Sequence, residues 1–140
     1  VYLNKSEYEQ ALEYGDKAYT IFDNSKQNNS CFAKVLNTLG LIFFEKDEFE
    51  KAFEYFEKSY KIRKEVYSED HRDLAESLKN IGIIYLKNKC FDYFKNEYYT
   101  KSLEYLEKSY KIYKKVYENN LSHPDIAELL NHIGRIYLYK

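Results

Sequence analysis

A chain of 140 residues has the size of one domain or one slice of a larger array, and 44% hydrophobic residues are enough to bury a core. With 22 Lys+Arg against 23 Asp+Glu the formal net charge is -1, which removes the usual electrostatic reason to expect nucleic acid or an anionic membrane as a partner. Four Gly and one Pro are too few for a fold of tight turns and hairpins and point to helices, and no apolar run approaches the roughly 20 residues needed to span a bilayer.

Six helices are predicted, at about 6–24, 31–46, 49–67, 72–88, 98–118 and 124–139. The first contains Ala11 in the segment EQALEYGDKAY, and the second contains Gly40 in LNTLGLIFF. In the third, Ala52, Phe53, Phe56, Ser59, Tyr60 and Ile62 recur at three- and four-residue intervals, and in the fourth Ala75, Leu78, Ile81, Gly82, Tyr85 and Leu86 do the same. Ser68, Asp70 and Asp73 flank the start of the fourth helix. Ser122, His123, Pro124 and Asp125 mark the start of the sixth, with Pro suited to a first turn. Surface pairs such as Glu54–Lys58 and Glu57–Lys61 add roughly 0.2–0.5 kcal/mol each.

The helices repeat. EYFEKSYKIRKEVY at 54–67 and EYLEKSYKIYKKVY at 104–117 agree at eleven of fourteen positions. DLAESLKNIGIIYL at 73–86 and DIAELLNHIGRIYL at 125–138 agree at nine of fourteen. Gly40, Gly82 and Gly134 align, as do Ala11, Ala52 and Ser102. The glycine spacing is 42 and then 52; about eight of the extra residues fall between Lys87 and Tyr99, and two fall before His123. One helix pair cannot bury its own apolar face, so neighbouring pairs must stack. The expected architecture is an all-α, right-handed α-solenoid of antiparallel helix pairs. Glycine inside a helix costs about 1 kcal/mol relative to Ala, so close helix–helix approach is expected at all three positions. The organisation reads as one repeat array over 1–140. Segment 6–24 is the second helix of a truncated repeat, and 31–67 is a repeat. Segment 72–118 is a repeat with an insert near 88–98, and 124–140 is the first helix of a truncated repeat. A first residue of Val and the lack of any Met suggest a segment of a longer protein.

The order Leu36, Leu39, Gly40, Phe43, then Ala52, Phe56 and Ser59, followed by Leu78, Ile81, Gly82, Tyr85, then Ser102, Leu106 and Ser109, resembles the tetratricopeptide repeat. The last copy begins with Leu130, Ile133, Gly134 and Tyr137. The 42-residue period and the segments SEDHRDLAESLKNIGIIYL and SHPDIAELLNHIGRIYL resemble more closely the kinesin light chain and nephrocystin-3 type of repeat. Three features depart from the family: the insert near Cys90–Tyr98, Gly15 where a large residue is expected, and Lys64 and Lys114 where the short repeat often has Pro.

The resemblance implies that the first helix of each pair lines a concave groove that binds a protein or peptide. The groove residues would be Lys34, Asn37, Thr38 and Leu41, then Glu76, Lys79, Asn80 and Ile83, then Glu128, Asn131, His132 and Arg135. Asn37, Asn80 and Asn131 carry amides able to donate to and accept from the backbone of an extended peptide; the alternative is that these residues are a solvated helix face. Lys34 and Asn80 fit the carboxylate clamp of chaperone-tail binders, but Thr38, Glu128 and His132 do not, and Glu128 repels a carboxylate.

No catalytic site, metal site or cofactor is expected. The sequence has no Gly-rich phosphate loop and no hydrolase, zinc-protease or kinase signature. His71 and His123 occupy equivalent loop positions, and a structural capping or loop role is expected of them rather than catalysis. Cys31 and Cys90 lack CxxC spacing and are expected to be small buried or loop residues; a reducing, cytoplasmic compartment fits them. Tyr55, Tyr60, Tyr67, Tyr105, Tyr110, Tyr113 and Tyr117 follow helical spacing, and most of them are expected to pack between helices. Tyr113, standing where the preceding copy has Arg63, is expected at the surface, and the aromatic insert CFDYFKNEYY at 90–99 is expected to pack rather than to form a partner site. Function is therefore read as a protein-binding scaffold. The alternatives are a regulatory or partner-recruiting segment of a larger enzyme or motor complex, and a spacer or self-assembly element associating through its end helices.

Overall fold

The computed structural model describes residues 4–26, 29–87, 95–118 and 120–140. They form six helices: α1 (Lys5–Ser25), α2 (Ser30–Glu45), α3 (Phe49–Val66), α4 (Arg72–Lys87), α5 (Lys95–Val116) and α6 (Pro124–Tyr139), with no strand among the described residues. Five helices begin within one residue of their expected starts. Helix α5 begins at Lys95 rather than 98, because part of the insert continues it: Tyr98 packs on Tyr85 of α4 at 6.1 Å between ring centroids. Insert residues 88–94, Cys90 among them, lie outside the described residues.

The chain divides into two compact units, Val1–Val66 and Tyr67–Lys140. In the first, α1, α2 and α3 run antiparallel in sequence order. Tyr19 and Phe22 of α1 pack on Phe32 at the start of α2, and Tyr8 lies near Glu45 at its end. Helix α3 returns along α2, with Tyr55 stacked on Phe43 and the Ser59 hydroxyl donating to the Ala33 carbonyl at 2.7 Å. One cluster of its core is Phe32, Ala33, Leu36 and Ile62, closed by Tyr19, Phe22 and Tyr55, and Leu39, Ile42, Phe43, Ala52 and Phe56 are buried as well. In the second unit α4 and α5 form the equivalent pair. Ser109 donates to the Ala75 carbonyl and Ser102 to the Gly82 carbonyl, both at 2.7 Å. Helix α6 closes that core with Ile126, Leu129 and Ile136 beside Leu103, Leu106 and Tyr113.

The helix ends follow local chemistry. Asn4 and Glu7 form a reciprocal capping box on α1, and the Asn29 side chain accepts from the Phe32 amide to cap α2. Asp47, at a φ of 59°, turns the chain between α2 and α3. Asp tolerates this left-handed geometry better than most residues, and the Glu48 amide closes the turn on the Phe43 carbonyl at 2.9 Å. Exposed ion pairs form at Glu13–Lys17, Glu97–Lys101 and Glu104–Lys108, while Lys58 lies over the Tyr55 ring. Such surface contacts contribute little each.

Two of the three aligned glycines are points of close approach. A methyl at Gly40 would sit 2.6 Å from the Phe56 ring, and one at Gly82 would sit 2.9 Å from Leu106. Gly134 departs from the expectation, since a methyl there would meet nothing within 4 Å. Gly15, out of place by the repeat pattern, has its own reason: a methyl there would sit 2.6 Å from Leu39, so α1 lies close on α2 at that point.

Two further expectations are corrected. Tyr113 is 2% exposed, as is its equivalent Arg63. Positions 59, 62 and 63, and likewise 109, 112 and 113, follow the three- and four-residue spacing of one face, so both side chains point inward. Cys31 is neither buried nor in a loop, since it lies exposed in the first turn of α2.

Gly40→Ala is expected to destabilise the chain by about 1–3 kcal/mol, because Phe56 is locked in the core. Gly134→Ala is expected to stabilise it by up to about 1 kcal/mol, from helix propensity alone. Chemical denaturation of the two variants beside the parent chain checks both signs.

Candidate functional site

The residues expected to line a groove lie on first-position helices of the repeat, where spacing of three, four and seven residues puts each set on one helix face. On α2, Lys34, Thr38 and Leu41 are exposed. Asn37 is 5% exposed, and the Thr38 hydroxyl donates to the Lys34 carbonyl of its own helix at 3.0 Å. Within the first unit the presented surface is thus a Lys and a Leu flanking a hydroxyl whose proton is already engaged.

In the second unit the structure brings α4 and α6 together at the expected residues. Lys79 Nζ lies 2.9 Å from Glu128 Oε2, and His132 Nε2 lies 3.9 Å from the other oxygen of the same carboxylate. Asn131 and Arg135 stand exposed on α6 beside this contact, and Glu76 and Ile83 are half-buried on α4. Asn80 is 9% exposed, so its amide is spent inside the fold. Of the three asparagines singled out by the repeat, only Asn131 faces solvent.

Burial holds the His132 imidazole below its ordinary pKa. The Glu128 carboxylate opposes that shift, and Arg135, Lys79 and Lys87 reinforce it. Its charged form is therefore disfavoured at neutral pH, and one ring nitrogen is left as an acceptor. Lys87 was not singled out from the sequence, although it continues the four-residue series Lys79, Ile83, Lys87 along α4.

The two loop histidines act as structural caps. His71 Nδ1 accepts from the Asp73 amide at 3.1 Å, and His123 Nδ1 accepts from the Asp125 amide at 3.2 Å. Each imidazole stacks on a tyrosine, His71 on Tyr67 and His123 on Tyr117, with ring centroids 3.6 Å apart in both cases. The stack escaped sequence reasoning, because two inserted residues separate Tyr117 from His123 relative to the earlier copy. Tyr117 also donates to Asp125 Oδ2 at 2.5 Å. Desolvation, and then that hydrogen bond, push its phenol up to about 12. Among the described residues no group of three or more His, Cys, Asp or Glu side chains is placed to hold a metal ion, and no helix is long and apolar enough to cross a membrane.

Residues 31–90 match the family model described as tetratricopeptide repeat. This supports a tetratricopeptide repeat family, and the fold is an all-α helical repeat of that type. None of the curated proteins matches the chain.

The raised phenol gives a signed expectation. A group whose folded pKa lies above its unfolded value contributes stability below the unfolded value and loses it as pH rises through the folded one. Tyr117 therefore contributes fully below about 10 and loses its contribution towards about 12. Tyr117→Phe is expected to lower stability by about 1 kcal/mol at neutral pH and to flatten the alkaline fall, as read by denaturation across that pH range.

Proposed function

We propose that the chain is a protein-interaction scaffold. It binds a peptide or partner protein on the polar faces of its first-position helices and catalyses no reaction. Repeats of this kind mediate protein–protein interaction. The observation that carries the reading is the Lys79–Glu128–His132 contact, which joins α4 and α6 into one polar wall with Asn131 and Arg135 free on its surface. Asn131 offers a donor and an acceptor to an extended backbone, Arg135 a cationic fork for a carboxylate or a carbonyl, and neutral His132 an acceptor at the edge. Lys34, Thr38 and Leu41 present a smaller surface on α2.

The pairing of Lys79 with Glu128 bears on the class of guest. Both charges are already engaged, so neither anchors a ligand's charge without first breaking a contact at 2.9 Å. This favours recognition by backbone hydrogen bonds and shape over capture of a terminal carboxylate. The balanced charge leaves no general attraction for nucleic acid or an anionic membrane. The 42-residue spacing supports the kinesin light chain and nephrocystin-3 subtype, and two cysteines 59 positions apart, Cys31 and Cys90, fit a cytoplasmic setting.

Burial of Asn80 moves the test away from that residue, since replacing it would disturb the fold. Peptides selected from a displayed random library on the whole chain are expected to bind Asn131→Ala/Arg135→Glu at least tenfold more weakly, with the thermal midpoint unchanged. Selected peptides that bind this variant as well as the parent would contradict the reading.

A further inference from the structure

The repeat position that holds an amide at Asn80 of α4 holds an imidazole at His132 of α6. The His132 side chain is 15% exposed and faces a carboxylate that already has a partner. Its Nε2 lies 3.9 Å from Glu128 Oε1, while Lys79 Nζ of α4 lies 2.9 Å from Oε2. Glu128 thus stands between a permanent cation and a group that is a cation only when protonated. The charges acting on the imidazole come from both helices that meet there, Glu128 and Arg135 from α6, Lys79 and Lys87 from α4. While His132 is neutral, these three cations face one anion, Glu128.

We infer that His132 makes the polar wall a pH-sensitive site, one that binds a guest carboxylate, on an Asp or Glu side chain, more tightly as the pH falls. The inference rests on the scaffold reading above and adds regulation to it. At neutral pH, burial and the three cations keep the ring uncharged, and Lys79 is engaged by Glu128. A carboxylate arriving beside Arg135 supplies a second anion. The ring then takes up a proton and is drawn to Glu128 Oε1, while Oε2 stays with Lys79.

The coupling is reciprocal: an anion that favours the charged ring is itself bound more tightly once the ring is charged. Affinity therefore rises as the pH falls through the ring's pKa in the bound state. It levels off below the value in the free chain, which lies under the ordinary one for histidine. A guest without a carboxylate gains nothing from the proton. The repeat itself supplies the control: His132→Asn restores the residue found at the equivalent position of α4, keeps a hydrogen-bonding side chain and removes the titration. The caps at His71 and His123 are left as they are, so the difference between variant and parent isolates this one ring.

The probes are peptides selected on the whole chain from a displayed random library at about pH 5.5, where Asp and Glu side chains remain ionised. Those carrying Asp or Glu are titrated at about pH 7.5 and 5.5, beside versions with these residues changed to Asn and Gln. The parent chain is expected to bind the acidic peptides at least about threefold more tightly at the lower pH, and the amide versions equally at both. His132→Asn is expected to lose that gain. Calorimetry in buffers of different ionisation heat should show the parent taking up a proton on binding and His132→Asn taking up none. A gain that His132→Asn retains overturns the inference, as does a selection that yields no peptide with Asp or Glu. Equal affinity at both pH values, for peptides that Asn131→Ala/Arg135→Glu fails to bind, removes the pH-sensitivity and leaves the scaffold reading standing. Peptides that bind Asn131→Ala/Arg135→Glu undiminished remove both.

Discussion

Close backbone approach within each helix pair is the constraint on which the rest depends. At Gly40 and Gly82 the second helix of the pair lies so near that a single methyl group would collide with Phe56 or Leu106. A serine hydroxyl then crosses the same gap, from Ser59 to the Ala33 carbonyl and from Ser109 to the Ala75 carbonyl, at 2.7 Å in both. Glycine in mid-helix is unfavourable by about 1 kcal/mol, so the arrangement holds only because burial of a large side chain over it contributes more. The hydroxyl bonds satisfy polar groups that would otherwise be stranded in a dry interface, and they fix register as well as distance.

With the pairs locked this way, the first helix of each pair turns one face to its partner and leaves the opposite face for other use. That geometry makes a polar wall possible on α4 and α6. Lys79 and Glu128 meet across it, and neither is drawn into the apolar core. Gly134 on α6 aligns with the two glycines, but no described helix fills the space above it. The caps at His71 and His123 set where α4 and α6 begin, and so set which residues of those helices face the wall.

Much of the fold was legible because helical periodicity is local and the repeat reinforces it. Gly40 and Gly82 announced their role by recurring, and His71 and His123 by standing at equivalent points before a helix. The misreadings share a cause: each depended on a neighbour that spacing does not reveal. Tyr113 was placed outside because its partner position holds an Arg, yet Arg63 is itself buried. Gly15 looked like a defect until Leu39 was seen against it. In the candidate site, exposure divided Asn131 from Asn37 and Asn80, which no single helix face distinguishes. The Lys79–Glu128 pair joins residues 49 positions apart, and only packing of α4 on α6 brings them together.

The most direct measurement of the central claim is a double-mutant cycle at Gly82 and Leu106, read by chemical denaturation. If the glycine is there to admit the leucine, Gly82→Ala is costly beside Leu106 and nearly harmless once Leu106→Ala has emptied that space. The account predicts that the double variant is more stable than the sum of the single changes by at least about 1 kcal/mol. Additivity within about 0.5 kcal/mol would show that the two positions do not share the contact, and would contradict the account.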